Sequence, residues 1–268
     1  MGIKGLNKFL KDYAKPVTLN EYRNKTFAID VSIYIYKFKY GVNSTKQFVN
    51  RFRYQVNQFE KTNIKPIYVF DGPSPILKKG TQESRKKTQN PIVVTKEDIT
   101  ELKNYFDECG ILYITAPSEA EKFCSYMTKV NENCVIFSND MDSLVFGCTT
   151  LLTSSKEGFF EYNTKEILNK LELTSEEFID LAIASGSDYF PVGVPGLGPK
   201  KALTYIKSHG KIEKWSNLHQ DMTDSILFDI KTIFTDFSQE KSMYDTLVFE
   251  DCDSVVSDLE SMLSIDDN

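Results

Sequence analysis

At 268 residues, with 41% hydrophobic and 26% charged residues, the chain has the composition of a soluble protein with one large core, or one core and a small lobe. Its longest apolar runs, such as 111–114 and 134–137, are far too short to span a bilayer, and the N-terminus has no basic stretch followed by an apolar run, so no signal peptide is expected. The net charge of −6 weighs against a nucleic-acid partner, but the residues from Asp245 onward hold eight Asp or Glu and no Lys or Arg, which leaves the rest at +2.

In chain order, the first half alternates short apolar runs with longer amphipathic stretches. Residues 26–30, 66–70, 111–114 and 134–138 read as strands, being rich in Ile, Val, Phe and Tyr. Residues 45–61, 96–109 and 118–129 are long enough for helices. Short buried strands joined by helical crossovers predict a parallel sheet with helices on both faces, whose ligands bind at the carboxyl ends of the strands. Asp30 and Asp71 stand at such ends, and Asp140 with Asp142 follow the fourth strand. Residues 72–91 form a polar, basic segment of weak periodicity, including Lys78, Lys79, Arg85, Lys86 and Lys87. From about Lys165 the chain reads as helical. Thr174 to Glu177 is a capping box opening a helix to about Ser185, Gly193 to Gly198 is a tight turn, and a basic helix follows from Pro199. After about Phe249 the tail is acidic and weakly patterned, with the composition of a disordered segment.

Several residues have both a chemical and a plain reading. Two carboxylates in one crevice repel unless a cation neutralises them, and hard cations such as Mg²⁺ prefer oxygen ligands, yet Asp30 or Asp71 alone reads as a turn residue. If the chain stays extended at Asp140 and Asp142, both side chains share a face. Glu119 and Glu121 lie at a helix start; Ser118-x-x-Glu121 is itself a capping box, and on spacing alone that is the better reading. Backbone amides of the 193–198 turn could bind a phosphate, or the turn could simply join two helices. Five cysteines without CxxC spacing read as reduced thiols, mostly in the core, and His209 and His219, ten apart, fit no usual zinc spacing. Met1-Gly2 is not a myristoylation signal, because position 6 is Leu6.

The blocks Met1-Gly2-Ile3-Lys4-Gly5-Leu6, Ala28-Ile29-Asp30, Tyr68-Val69-Phe70-Asp71-Gly72, Ala116-Pro117-Ser118-Glu119-Ala120-Glu121, Asn139-Asp140-Met141-Asp142 and Gly186-Ser187-Asp188-Tyr189 resemble, in order, those of the XPG/flap-endonuclease family. Gly193 to Lys200 resembles its helix–hairpin–helix, and the likeness spans about residues 1–210. The resemblance implies an α/β, PIN-like, mostly parallel sheet flanked by helices, with a C-terminal helical region. The expected organisation is a nuclease core over 1–164, with a short arch at about 72–95, then a helical DNA-binding region over 165–248 and an acidic tail over 249–268.

The resemblance also implies roles. Asp30, Asp71, Glu119, Glu121, Asp140, Asp142 and Asp188 match the seven acidic positions that hold two Mg²⁺ ions, for which Mn²⁺ can substitute. Lys78 and Arg85 match the two basic active-site positions of the arch, and Tyr36 matches an aromatic residue that stacks on a base, although its neighbours Tyr34 and Phe38 make a core position the plain reading. Gly2, Gly193, Gly196, Gly198, Lys200 and Lys201 match DNA-contacting positions, with K⁺ at the hairpin. The implied activity is metal-dependent cleavage of flapped or branched DNA in replication or repair, by a monomer in the nucleus or cytoplasm. A 5′→3′ exonuclease or junction resolvase of the same family, or an inactive nucleic-acid-binding scaffold, are the alternatives. Only 47 residues (72–118) separate Asp71 from Glu119, so the arch is reduced compared with cellular flap endonucleases. The acidic C-terminus carries no clamp-binding motif, so recruitment by a sliding clamp is not expected. Such a compact form would suit a viral or otherwise reduced genome.

Overall fold

The structure, a computed structural model, describes residues 2–78, 92–215, 218 and 221–247. Its centre is one seven-stranded sheet in the order β1-β7-β6-β5-β2-β3-β4. The four strands expected from the sequence are β2 (Thr26–Asp30), β3 (Lys65–Phe70), β4 (Tyr113–Thr115) and β5 (Cys134–Phe137). They are parallel, with Ala28 opposite both Ile67 and Ile136. Sequence periodicity missed the other three strands. β6 (Thr150–Ser155) runs parallel to β5, and β7 (Gly158–Asn163) returns antiparallel through a turn at Gly158, φ 127°. β1 (Lys15–Val17) sits on the outer edge, where Pro16 costs no ladder bond in the sheet interior. These three are short and mixed in polarity, so tertiary pairing rather than pattern makes them strands.

Alternation along the strands sorts the side chains into two layers. Phe27 and Ile29 of β2 face a core with α2 (Val31–Lys39), α3 (Thr45–Lys61) and α4 (Lys96–Glu108), through Tyr34, Phe48, Phe52, Phe59 and Phe106. Phe27 stacks on Phe137 at 5.5 Å and meets Phe59 edge-on at 5.4 Å. Ala28, between them, faces the opposite core. That core joins α5 (Ala120–Val130) and α6 (Asp142–Val145) to the helical second half: α7 (Thr164–Leu171), α8 (Ser175–Ser185), α9 (Pro199–His209) and α10 (Asp224–Thr235). The short first helix, α1 (Leu6–Leu10), buries Leu6 and Leu10 there as well. Residues 238–247 form a last helix that folds back across α5, with Tyr126 stacked on Phe237 and edge-on to Tyr244. No helix among the described residues is long and apolar enough to cross a membrane.

Local signals place most helix ends. Ser44 caps α3, and the Thr174–Glu177 capping box opens α8 as expected. The box expected at Ser118 does not form: Glu119 is the N-cap of α5, and its side chain makes no capping bond. Cys124, Cys134 and Cys148 are buried, Cys109 is exposed, and Cys252 lies outside the described residues. Arg85, the rest of the basic segment over 79–91, His219 and the acidic tail also lie outside them.

A buried charge joins α8 to the helices that follow. Asp180, fully buried, accepts from the amide of Ile212 at 3.1 Å and pairs with Lys231 of α10 at 2.6 Å. Removing Asp180 leaves the buried Ile212 amide without its acceptor, while Lys231 keeps its second partner, Glu213, at 2.5 Å. Asp180→Ala is therefore expected to cost about 1–3 kcal/mol, read as a lowered urea midpoint.

Candidate metal centre and DNA-binding surface

The carboxyl ends of β2, β3 and β5 converge on one crevice. Asp30, the last residue of β2, caps α2 by accepting from the amide of Ser32 at 2.9 Å. Asp71 follows β3, the neighbouring strand. One of its oxygens accepts from the Ser32 hydroxyl at 2.6 Å and the other from the Ala120 amide at 2.9 Å. One residue, Ser32, thus links the two aspartates, its amide to Asp30 and its hydroxyl to Asp71.

Asp140 and Asp142 follow β5. They share a direction because the chain turns there, and extended geometry plays no part: Asp142 is the first residue of α6, and its amide donates to Asp140 Oδ1 at 3.2 Å. The Ile3 amide donates to Asp142 Oδ1 at 2.8 Å. Gly2 lies so close that a Cβ there would stand 2.3 Å from Asp142 Oδ1 and 2.6 Å from Asp140 Oδ1, with φ at 79°. Only glycine fits that position.

Glu119 and Glu121 converge because they differ in backbone state. Glu119 is extended (φ −85°, ψ 140°) just before the helix, and Glu121 lies in its first turn. Oxygens of Glu121, Asp140 and Asp142 all lie within 4.8 Å of one another. The Lys78 ammonium is hydrogen-bonded to Glu119 and stands 3.7 Å from Glu121 and 3.8 Å from Asp188. The Tyr189 hydroxyl donates to the other oxygen of Glu119. All seven acidic positions therefore belong to one electrostatic cluster with the largely buried Lys78 among them.

This crowding raises carboxyl pKa values. Burial and then the Asp71 charge push Asp30 up to about 8. Burial drives Glu121 well above the usual carboxylate range, with Lys78 opposing and Asp140 and Asp142 adding to it. Asp142 is driven up by burial and by Asp140. Burial pulls the Lys78 ammonium down, but Glu121, Glu119 and Asp188 outweigh it, so Lys78 stays charged.

The residues fit divalent metal ions. The donors are carboxylate oxygens, which hard cations such as Mg²⁺ or Mn²⁺ take, and one of them, Asp142 Oδ2, is buried without a hydrogen-bond partner. An orphaned buried carboxylate oxygen beside like charges is costly unless a cation takes it.

Away from the crevice, Tyr36 on α2 is 50% exposed, whereas Tyr34 beside it is buried, so Tyr36 is no core residue. In the hairpin, Gly193 (φ 62°) and Gly196 (φ 78°) make the turn. Gly193 is buried, and a Cβ there would meet Ala184 O at 2.7 Å; Gly196 and Gly198 are exposed with open space beside them. Gly198 caps α9 without a side-chain bond, Pro199 follows at its first turn, and Lys200 and Lys201 are exposed. The opening residues bridge both regions, because the Lys4 ammonium reaches Pro191 O at 2.6 Å and its amide donates to Gly186 O at 3.0 Å. Sequence reasoning missed Ser32, Tyr189 and the Ile3 amide. Tyr189 had a signal in its place directly after Asp188; Ser32 and the Ile3 amide had none.

Fold and site together define a hydrolase class in which acidic residues gathered at the carboxyl edge of a mainly parallel sheet hold metal, with a helical hairpin alongside. Residues 1–92 match the XPG N-terminal domain, and residues 110–188 match the XPG I-region. Flap endonuclease 1 of Danio rerio is 33% identical over 261 residues, covering 80% of this chain and 68% of the relative. Flap endonuclease 1 of Homo sapiens is 34% identical with the same coverage. The catalytic core of Rad2 in complex with DNA substrate superposes with a TM-score of 0.72 at 30% identity, covering 92% of this chain and 79% of the other. The chain belongs to the XPG/flap-endonuclease family of structure-specific nucleases. It is a metal-dependent 5′ nuclease of that family.

The raised acids predict a pH-dependent stability. The folded Asp30 pKa, about 8, lies above its unfolded value near 3.8, so the folded state binds the extra proton. Its contribution is complete below about pH 4 and is lost as pH rises through about 8. With EDTA present, the melting temperature should therefore fall between pH 5 and pH 8. Added Mg²⁺ should raise it more at pH 8 than at pH 5, as scanning calorimetry would show.

Proposed function

We propose that this nuclease cleaves phosphodiesters at 5′ flaps or related branched DNA, with two Mg²⁺ ions held by Asp30, Asp71, Glu119, Glu121, Asp140, Asp142 and Asp188. The observation that carries this reading is the convergence of Glu121, Asp140 and Asp142 within 4.8 Å, beside Lys78 and in the crevice where Asp30 and Asp71 end the neighbouring strands β2 and β3. Bound divalent ions would supply Lewis-acid chemistry there, lowering the pKa of water and stabilising the leaving oxygen.

The protein's own residues do the rest. Carboxylates hydrogen-bonded to Ser32, Ala120 and Ile3 are fixed in direction, which keeps the centre preorganised. Lys78 holds a positive charge beside the carboxylates, where phosphoryl oxygens of the cut strand would arrive, and Arg85, outside the described residues, is the second basic position that the family motif implies. Tyr36, exposed on the helix that starts at Asp30, offers a face for a base next to the scissile phosphate. The hairpin amides at 196–198 and the start of α9, with Lys200 and Lys201 and a K⁺ ion, hold the duplex backbone without reading sequence. In this reading residues 1–164 are the nuclease core and 165–248 the duplex-binding region.

The test is cleavage of end-labelled 5′-flap, nicked and four-way DNA with Mg²⁺. The flap should be cut fastest, and Asp71→Ala or Asp140→Ala should lower the rate at least about 10²-fold. Absence of cleavage with both Mg²⁺ and Mn²⁺, or full activity of Asp140→Ala, would refute the reading. In single-turnover measurements Lys78→Ala should slow the chemical step by about 10²–10³-fold, since its charge is wanted at the transition state, while DNA affinity changes little.

A further inference from the structure

Glu240, in the helix over 238–247, is a buried carboxylate far along the chain from the metal centre, yet it is bonded to the segment that carries two of the acidic positions. It is 1% exposed. Its Oε1 accepts from the Ser118 hydroxyl at 2.5 Å, and its Oε2 lies 3.6 Å from the Lys122 ammonium. Ser118 and Lys122 bracket Glu119 and Glu121. The Ser118 carbonyl also accepts from the Gly72 amide at 2.7 Å, next to Asp71, and a Cβ on Gly72 would stand 2.1 Å from Ala116 O. The segment 116–120 is thus clipped to the loop after β3 on one side and to Glu240 on the other. Around Glu240 the contact continues: Lys129 stands 3.6 Å from the centre of the Phe237 ring, and Tyr126 stacks on the same ring.

The sequence offers Ser118 a different bond. Ser118-x-x-Glu121 could close as a capping box, in which the Glu121 carboxylate turns back to the Ser118 amide. That closure would take Glu121 away from Asp140 and Asp142. In the structure the box is open, the helix begins one residue later, at Ala120 with Glu119 as its N-cap, and the Ser118 hydroxyl goes to Glu240. We infer that Glu240 is a positioning residue for the metal centre: by holding Ser118 and Lys122 it keeps the competing cap open and leaves Glu119 and Glu121 aimed at the crevice. This rests on the proposed metal-dependent cleavage, and it adds a requirement for the C-terminal helix that the acidic cluster itself does not reveal.

The full-length wild type, Glu240→Ala, Glu240→Gln and Glu240→Met are compared in two assays. One is steady-state 5′-flap cleavage over a range of Mg²⁺ concentrations. The other is the rise in melting temperature over a range of Mn²⁺ concentrations without DNA. Glu240→Ala should raise the half-maximal metal concentration about tenfold in both assays and lower kcat, with KM for DNA within about twofold. Glu240→Gln, whose amide oxygen can still accept from Ser118, should recover most of the metal affinity. A merely structural role would lower the metal-free melting temperature and leave both metal midpoints and kcat unchanged, which would overturn the inference. If Glu240→Ala does not fold, Glu240→Met decides, since it fills the buried space, removes the acceptor and leaves the Ser118 hydroxyl free to close the cap: unchanged metal midpoints there also overturn the inference. Absence of wild-type cleavage would instead count against the nuclease reading, which separates the two failures.

Discussion

Repulsion among carboxylates confined to one crevice is the constraint around which the rest of this protein is arranged. Asp30, Glu121 and Asp142 are almost fully buried, and each is destabilised in its charged form by burial and by its neighbours. No fold would gather such groups for stability, because paired burial with good hydrogen bonding at best breaks even. Specific donors instead hold several of the acids: Ser32 for Asp30 and Asp71, the Ala120 amide for Asp71, the Ile3 amide for Asp142 and Tyr189 for Glu119, while Lys78 stands 3.7 Å from Glu121. These bonds point the oxygens inward and leave Asp142 Oδ2 unpartnered, the arrangement expected of a site that trades stability for a bound cation.

The sheet explains why so many acids can meet. β3, β2 and β5 are adjacent and parallel, so their carboxyl ends lie side by side, and each delivers an aspartate at or just past its last residue. The two aromatic and aliphatic layers keep these ends from shifting: a slip of one residue along β2 would exchange Phe27 and Ile29 with Ala28 between two unlike cores. Glu119 and Glu121 come from the start of α5, which is tied to the loop after β3 through the Ala120 amide and the Ser118 carbonyl, and Asp188 comes from the segment that follows α8.

The N-terminal residues give the molecule a second kind of rigidity. Ile3 is bonded to the acidic loop after β5, whereas Lys4 is bonded to Gly186 and Pro191 at the entrance to the hairpin, and Gly5 packs against Pro199. One short stretch therefore couples the metal centre to the start of α9. If the hairpin grips duplex DNA as proposed, such a link fixes the distance between grip and cut.

The sequence by itself determined the parallel strands, the ends of α3 and α8, and the candidate ligands, because apolar runs, caps and ordered motif blocks are local signals. Asp30 and Asp71 were legible as strand-end carboxylates. Glu119 and Glu121 were legible only through the family motif, since on spacing alone they read as a capping box. Tertiary structure decided what local signals leave open. It turned the mixed stretch over 150–163 into a hairpin by giving it β1 and β5 as partners, exposed Tyr36 while burying Tyr34, and opened the Ser118 cap by giving its hydroxyl to Glu240. The reason is the same in each case. A side chain's choice between a neighbour in sequence and one 122 residues away is a difference of about one hydrogen bond, and only the packed chain brings the distant partner within reach.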